Sequence, residues 1–157
     1  MTSFKVIPLT QGKFAKVDAD SFDFLSPKKW RYQKCGSVGY AARTERAADG
    51  SRHCVLMHRL LMGVPDGYVV DHINGDPLDN RRSNLRIATV AQNAWRQRSS
   101  HKLPRGVSRC SKTGRYIARV MKDGVRYHLG TYGDVSAAQA SYLSAAKVIY
   151  GEFAPDE

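Results

Sequence analysis

The sequence predicts an α+β protein made of two small modules. Three observations predict it. Short apolar runs, broken by Gly, Pro and Asp/Ser clusters, fill the first part of the chain. Two β-rich runs flank Asp123-Gly124, a two-residue hairpin signal. An Ala-rich amphipathic stretch lies between Ser136 and Gly151. The 157 residues suffice for one average domain or two small ones, and the composition, 42% apolar and 25% charged, is that of a folded chain rather than a disordered one.

Taken in order, Phe4 to Leu9, Phe14 to Val17, Trp30 to Cys35 and Tyr40 to Thr44 read as strands of a small antiparallel sheet. Ala19 to Leu25 reads as a helical turn, and a short helix around His58 to Met62 ends at Gly63. The β-branched Tyr68-Val69-Val70 runs into Asp71-His72-Ile73-Asn74-Gly75-Asp76, whose Asn-Gly pair favours a tight turn. Asn84 to Ala88 forms a second short strand, and Thr89 caps a helix through Val90 to Gln97. In the second module Arg115 to Met121 and Arg126 to Tyr132 pair across the Asp-Gly turn. That turn sets Lys122 opposite Val125, Arg119 opposite His128 and Met121 opposite Arg126. Tyr116, Ala118, Val120, Tyr127 and Leu129 share the other, apolar face. Ser136 caps a helix over Ala137 to Tyr150, whose Ala138, Tyr142, Ala145 and Ile149 cover that face. The basic face has a width that suits a DNA major groove.

The charge balance narrows the partner. The chain carries 25 Lys+Arg against 14 Asp+Glu, a net +11, which points to a polyanion. The excess is densest between Arg96 and Arg126, where ten Lys/Arg meet one acid, Asp123. Module boundaries are accordingly expected at 1–97 and 105–157, with 98–104 as a basic linker that tracks phosphates. No apolar run approaches the roughly 18 residues of a membrane span, so the chain is expected to be soluble, non-membrane and cytoplasmic. Cys35, Cys54 and Cys110 are odd in number and contain no C-x-x-C pair, against a disulfide scaffold or a Cys-rich zinc site.

Asp71-His72, then Asn84 twelve residues after the histidine, then Asn93 nine further on, is the constellation that carries chemistry. Phosphodiester hydrolysis needs a base for water, and a neutral imidazole suits neutral pH. It also needs a hard cation for the charge that develops on phosphate. Asp71 and Asn93 supply a carboxylate and an amide oxygen for such an ion, leaving positions for water and phosphate, and Asn84 is expected to orient His72. Simpler roles fit the neighbours. His58 reads as a packed or capping residue, Trp30 and Trp95 as core, and Asp76 and Asp79 as turn formers. Arg81, Arg82 and Arg86 fit a phosphate contact or a solvated surface equally.

The run His58-Arg59-Leu60, Val70 to Asp76, Leu78-Asp79-Asn80-Arg81, Asn84-Leu85-Arg86 and Gln92-Asn93 resembles the HNH endonucleases of the phage homing type. The likeness extends upstream through Val17-Asp18, Trp30 and Tyr40-Ala41-Ala42-Arg43. It implies a ββα-metal finger around one divalent ion, Mg²⁺ or Mn²⁺, with His72 as general base, Asp71 and Asn93 as metal ligands, and Asn84 positioning His72. Many HNH proteins carry histidine where Asn93 stands, or zinc-binding cysteine pairs that this chain lacks. Residues 103–154 resemble an Apetala-type DNA-binding domain through Arg105-Gly106-Val107, Gly114-Arg115-Tyr116-Ile117-Ala118 and Leu129-Gly130-Thr131-Tyr132. That likeness implies a three-stranded sheet packed on one helix, with Arg105, Arg119, Arg126 and His128 toward DNA, and with Ser108, Cys110 and Met121 departing from basic positions. Arg115 and Arg86 complete the expected DNA contacts.

The function expected is therefore a metal-dependent, site-preferring endonuclease acting on double-stranded DNA as a monomer, nicking it to leave 5′-phosphate and 3′-hydroxyl ends. The alternatives are a sequence-specific DNA-binding protein with a degenerate nuclease scaffold, and an RNA-directed or non-specific nuclease.

Overall fold

Alternation in Phe4–Pro8 (β1) and Phe14–Asp18 (β2) closes an antiparallel hairpin with Lys5 opposite Val17 and Ile7 opposite Ala15, in a computed structural model that describes residues 3–96 and 103–155. The chain divides into two compact units, Met1–Val90 and Ala91–Glu157. Of the basic segment expected at 98–104, residues 98–102 lie outside the described residues.

In the first unit the hairpin leads into α1 (Ala19–Leu25), then a meander of β3 (Arg31–Cys35), β4 (Val38–Arg46) and β5 (Arg52–Leu56), with β4 in the centre. Strand β5 was not expected. Its residues Arg52, His53 and Cys54 are all exposed, so it shows no apolar alternation, and pairing with β4 defines it. Helix α2 (Met57–Met62) buries Met57, His58 and Leu61 and ends on Gly63 in the left-handed conformation, φ 56°. Strands β6 (Tyr68–His72) and β7 (Leu85–Thr89) pair antiparallel, joined by residues 73–84. One core gathers Ile7, Ala15, Val17, Leu25, Trp30, Ala41, Met57, Leu61 and Leu85. Trp30 donates from Nε1 to the Leu25 carbonyl at 2.9 Å, which satisfies its buried N–H, and Arg43 stacks over its ring.

The second unit takes in helix α3 (Val90–Arg96) from Ala91, then β8 (Val107–Arg109), β9 (Tyr116–Lys122) and β10 (Val125–Tyr132), with β9 central, and α4 (Val135–Tyr150). The Asp123-Gly124 turn places both residues at positive φ, 51° and 78°, as its type requires. The register it sets is the expected one: Val125 opposite Lys122, Arg126 opposite Met121, His128 opposite Arg119. Past His128 the register shifts, which moves Gly130 opposite Ala118. The cap of α4 is Asp134 and not Ser136, its carboxylate accepting the Ala137 N–H at 2.9 Å. Ala138, Tyr142, Ala146 and Tyr150 are the fully buried residues of α4, with Ala145 and Ile149 partly covered. Gly106 sits against the Tyr142 ring, where a Cβ would lie 2.1 Å from Cδ2.

Candidate active site

Strand β6 ends in the two residues that carry the candidate chemistry. Successive side chains of a strand leave on opposite faces, so Asp71 and His72 diverge into different surroundings, and both are buried. Asp71 lies opposite Arg86 of β7, and His72 opposite Leu85.

Asp71 accepts on Oδ2 from Arg86 Nε at 2.8 Å, with Nη2 2.6 Å from the same oxygen. This is a cross-strand ion pair with both side chains nearly covered. Arg86, which the sequence offered as a phosphate contact, is thus committed to the carboxylate.

The His72 imidazole packs edge-on against His58 of α2, ring centroids 5.1 Å apart, and both rings meet Tyr40 of β4. Burial is the main force on the titration of both imidazoles, and it opposes the charged form. It lowers His72 below the usual histidine value, against the Asn80 amide and the Asp71, Asp76 and Asp79 carboxylates, which favour the proton. It drives His58 down to about 3, helped by the positive charge of a protonated His72 and of Arg59. Both rings are therefore neutral at pH 7, the form in which an imidazole accepts a proton. His58 is the packed residue expected.

The connection from β6 to β7 is held by polar groups. Gly75, at φ 74°, closes the tight turn by donating to the His72 carbonyl at 2.8 Å. Asp79, fully buried, takes Arg81 Nε at 2.8 Å, Arg81 Nη2 at 2.6 Å and Asn74 Nδ2 at 3.0 Å. Those contacts, Arg81 first, hold its carboxyl below the usual range. Asn84 donates from Nδ2 to the Asp79 carbonyl at 2.8 Å and accepts the Asn74 N–H on Oδ1 at 2.9 Å. The structure thus gives the Asn84 amide loop partners, whereas the sequence assigned it the imidazole of His72. The amide that acts on His72 is Asn80, which the sequence did not single out because Leu78-Asp79-Asn80 has the composition of an ordinary turn.

Asn93 lies on α3, in the second unit and part-buried. Among the described residues no group of three His, Cys, Asp or Glu side chains gathers as a metal cage. The Asp71 carboxylate is the oxygen donor type that a hard cation takes, with water completing the coordination.

On the second unit's sheet, Arg119, His128, Met121 and Arg126 share the face turned away from α4, with Arg119 Nη1 donating to Ser108 Oγ at 3.3 Å. Arg126 and His128 are exposed. Arg115 braces the Thr131 carbonyl at 3.2 Å, and Arg105 donates to the Ala94 carbonyl at 2.8 Å. Arg105, Arg119 and Arg126 line an open cleft of about 680 Å³ with Trp95, Tyr142 and Tyr150. Trp95 stacks on Tyr150 at 4.4 Å, a packing role as expected. Among the described residues no helix is long and apolar enough to cross a membrane.

Comparison with known proteins bears on both halves. Residues 55–95, which contain Asp71, His72, Asn84 and Asn93, match the model of an HNH endonuclease family. Over 153 residues, 96% of this chain and 78% of the relative, the sequence is 30% identical to an uncharacterized HNH endonuclease of Acanthamoeba polyphaga mimivirus. Over 48 residues, 31% of this chain and 40% of the relative, it is 35% identical to Protein 3.8 of Escherichia phage T7. No solved structure matches the chain.

Proposed function

The chain belongs to the HNH endonuclease family, and from that premise we propose that it is a metal-dependent, site-preferring DNA endonuclease of the homing type that nicks its target as a monomer. One observation carries the proposal: the family-matched segment 55–95 ends β6 in the successive buried residues Asp71 and His72, the imidazole of the second neutral.

In this proposal β6, β7 and α3 form the ββα finger. Asp71 and Asn93 would hold one divalent ion, Mg²⁺ or Mn²⁺, which when bound neutralises charge on the phosphate and the departing 3′ oxygen. His72 takes a proton from the attacking water, and its burial against His58 and Tyr40 keeps the ring neutral and fixed for that transfer. Asn84 supports the same ring at one remove, through the loop that it braces. The products carry 5′-phosphate and 3′-hydroxyl ends. The second unit reads DNA as an Apetala-like domain, with Arg119, Arg126 and His128 on the exposed sheet face and Arg105 and Arg115 beside it.

Supercoiled plasmid carrying candidate target DNA, incubated with the protein and Mg²⁺, tests this. Conversion to open circles that chelation, His72→Ala and Asp71→Ala each abolish is the expected result. Linear product would replace the monomeric nicking scheme with paired chains. DNA bound yet uncut with both Mg²⁺ and Mn²⁺ would leave a DNA-binding protein on a nuclease scaffold.

A further inference from the structure

The register of β3, β4 and β5 sorts the charges of the first unit onto two faces. Ala41 of β4 is buried in the core and Arg43 stacks over Trp30, so these alternate residues of β4 face inward. Tyr40, Thr44 and Arg46 leave on the opposite face, with Arg31 of β3 and Arg52 of β5 in register beside them. Side-chain contacts agree. Arg31 lies across all three strands, donating from Nε to Gln33 Oε1 at 3.1 Å, from Nη1 to Thr44 Oγ1 at 2.8 Å and from Nη2 to Cys54 Sγ at 3.8 Å. None of those acceptors is a carboxylate, so the guanidinium is held in place without losing its charge, and two of its five N–H donors remain. Further along, Arg46 and Arg52 stand directly opposite each other, both exposed. Like charges so placed destabilise a sheet. The one acid in the three strands, Glu45, is on the other face against Arg43 and His53, and Asp49 in the β4–β5 turn accepts the Ser51 N–H at 2.8 Å. Among the described residues, neither Arg46 nor Arg52 has an ion-pair partner.

We propose that this face is a backbone track for duplex DNA, with Arg31, Arg46 and Arg52 on phosphates that flank the one attacked beside His72. It deepens the proposed endonuclease and rests on that reading. The track begins at the candidate site, because the Tyr40 ring on the same face lies 6.3 Å from that of His72. Arg46 follows six residues along β4, about 20 Å away at the rise of a strand. One DNA strand places a phosphate every 3.4 Å or so along the helix axis, so such a path passes about six of them. A polyanion of that density offsets the repulsion between Arg46 and Arg52, which a neutral partner would leave standing. Phosphate contacts carry no base information, so the track supplies affinity and orientation to the nuclease unit but no sequence preference.

The experiment is a salt titration of duplex DNA binding by the full chain in EDTA, read by filter binding. Replacing both Arg46→Gln and Arg52→Gln is expected to reduce the slope of log affinity against log salt by about 1.8, one phosphate for each arginine. Between 50 and 200 mM salt the wild type then loses about 12-fold more affinity than the double variant. Lys34→Gln removes a charge from the other face of β3 and is expected to keep the wild-type slope. A wild-type slope in the double variant overturns the proposal. So does a loss per charge in Lys34→Gln equal to that of the arginines, since net charge alone would then explain it. A slope reduced on duplex RNA and unchanged on DNA would make this an RNA surface, and overturns it as well. If the double variant does not fold, Arg31→Gln, with an expected reduction of about 0.9, decides. Because binding is read without metal, the two proposals fail separately. A chain that binds through these arginines and leaves DNA uncut with Mg²⁺ and Mn²⁺ refutes the nuclease, whereas cutting by the wild type alongside an unchanged slope in the double variant refutes the track.

Discussion

Arg86→Met isolates the ion pair at the end of the β6–β7 ladder. The substitution keeps an aliphatic stem of similar length and removes only the guanidinium. Asp71 would then be left with 9% of its side chain exposed and without the two contacts, at 2.8 and 2.6 Å, that now neutralise it. Breaking one side of a pair buried to this degree costs about 3–5 kcal/mol, because the remaining charge is stranded. That is a large part of the roughly 5–15 kcal/mol that stabilises a whole domain. Removing both charges, in Asp71→Asn with Arg86→Met, leaves nothing stranded and is expected to recover at least about 2 kcal/mol of the loss. Urea unfolding followed by fluorescence measures it in a Trp95→Phe background, where Trp30, in the core of the first unit, is the remaining tryptophan. A loss under about 1 kcal/mol, or single effects that simply add in the double variant, would refute the idea of a desolvated, mutually dependent pair.

His58 makes stability depend on pH. Its folded pKa, about 3, lies below the ordinary 6.5, so above that value neither state binds a proton and nothing changes. Below it the unfolded chain takes up a proton that the native ring refuses, and stability falls by about 1.4 kcal/mol per pH unit toward pH 3. Urea melts at pH 7.5, 5.5 and 4.5 should show this fall, and His58→Leu should flatten it. In the second unit, Gly106→Ala adds a Cβ 2.1 Å from the Tyr142 ring at a φ of 73°, an expected cost of about 3 kcal/mol. Gly124→Ala, at φ 78° with open space around it, should cost only about 1 kcal/mol, and equal midpoints for the two in thermal melts would contradict this account. For DNA binding, Arg119→Ala and Arg126→Ala should each reduce the slope of log affinity against log salt by about 0.9 if each meets a phosphate. Val148→Ala, on the outer side of α4 and 87% exposed, should leave that slope unchanged in a filter-binding titration.

What could be read in the sequence was set by short-range geometry. The Asp123-Gly124 turn is only two residues long, so it fixes the register of β9 and β10, and the basic face followed from residue parity alone. The span of α4 was legible for a similar reason, from Ala spacing and Gly151, although the capping residue was misplaced by two positions. The β6–β7 pair offered no such constraint. Residues 73–84 intervene, a connection of that length permits several registers, and the pairing of Asp71 with Arg86 depends on which one forms. Strand β5 was invisible because its polar residues face solvent, and its place was decided by β4. Asp71 and His72 were legible as chemistry, since the residue types declare it. The surroundings of His72 were not, because an asparagine in an exposed turn and one that is buried, as Asn80 is, are identical in sequence.

The connection from β6 to β7 shows why the site residues cannot be weighed singly. An ordered segment of this length, with the 3₁₀ turn Arg82–Asn84 as its regular structure, must find partners for every buried polar group. Asp79 solves most of that problem, as its carboxylate gathers Arg81 and Asn74 while its carbonyl receives Asn84. The segment is tied to β2 as well, where Lys16 donates to the Leu78 carbonyl and accepts from the Asn80 N–H, both at 2.8 Å. Asn80 is therefore held at two points, by its backbone N–H and by its side-chain Nδ2 on the Leu78 carbonyl. The His72 imidazole is held by packing against the rings of His58 and Tyr40. Buried hydrogen bonds are directional, and the loss of one leaves its partner unsatisfied. The geometry around His72 is thus more sensitive to a change at Asp79, which touches no part of the ring, than to a change at an exposed arginine nearby.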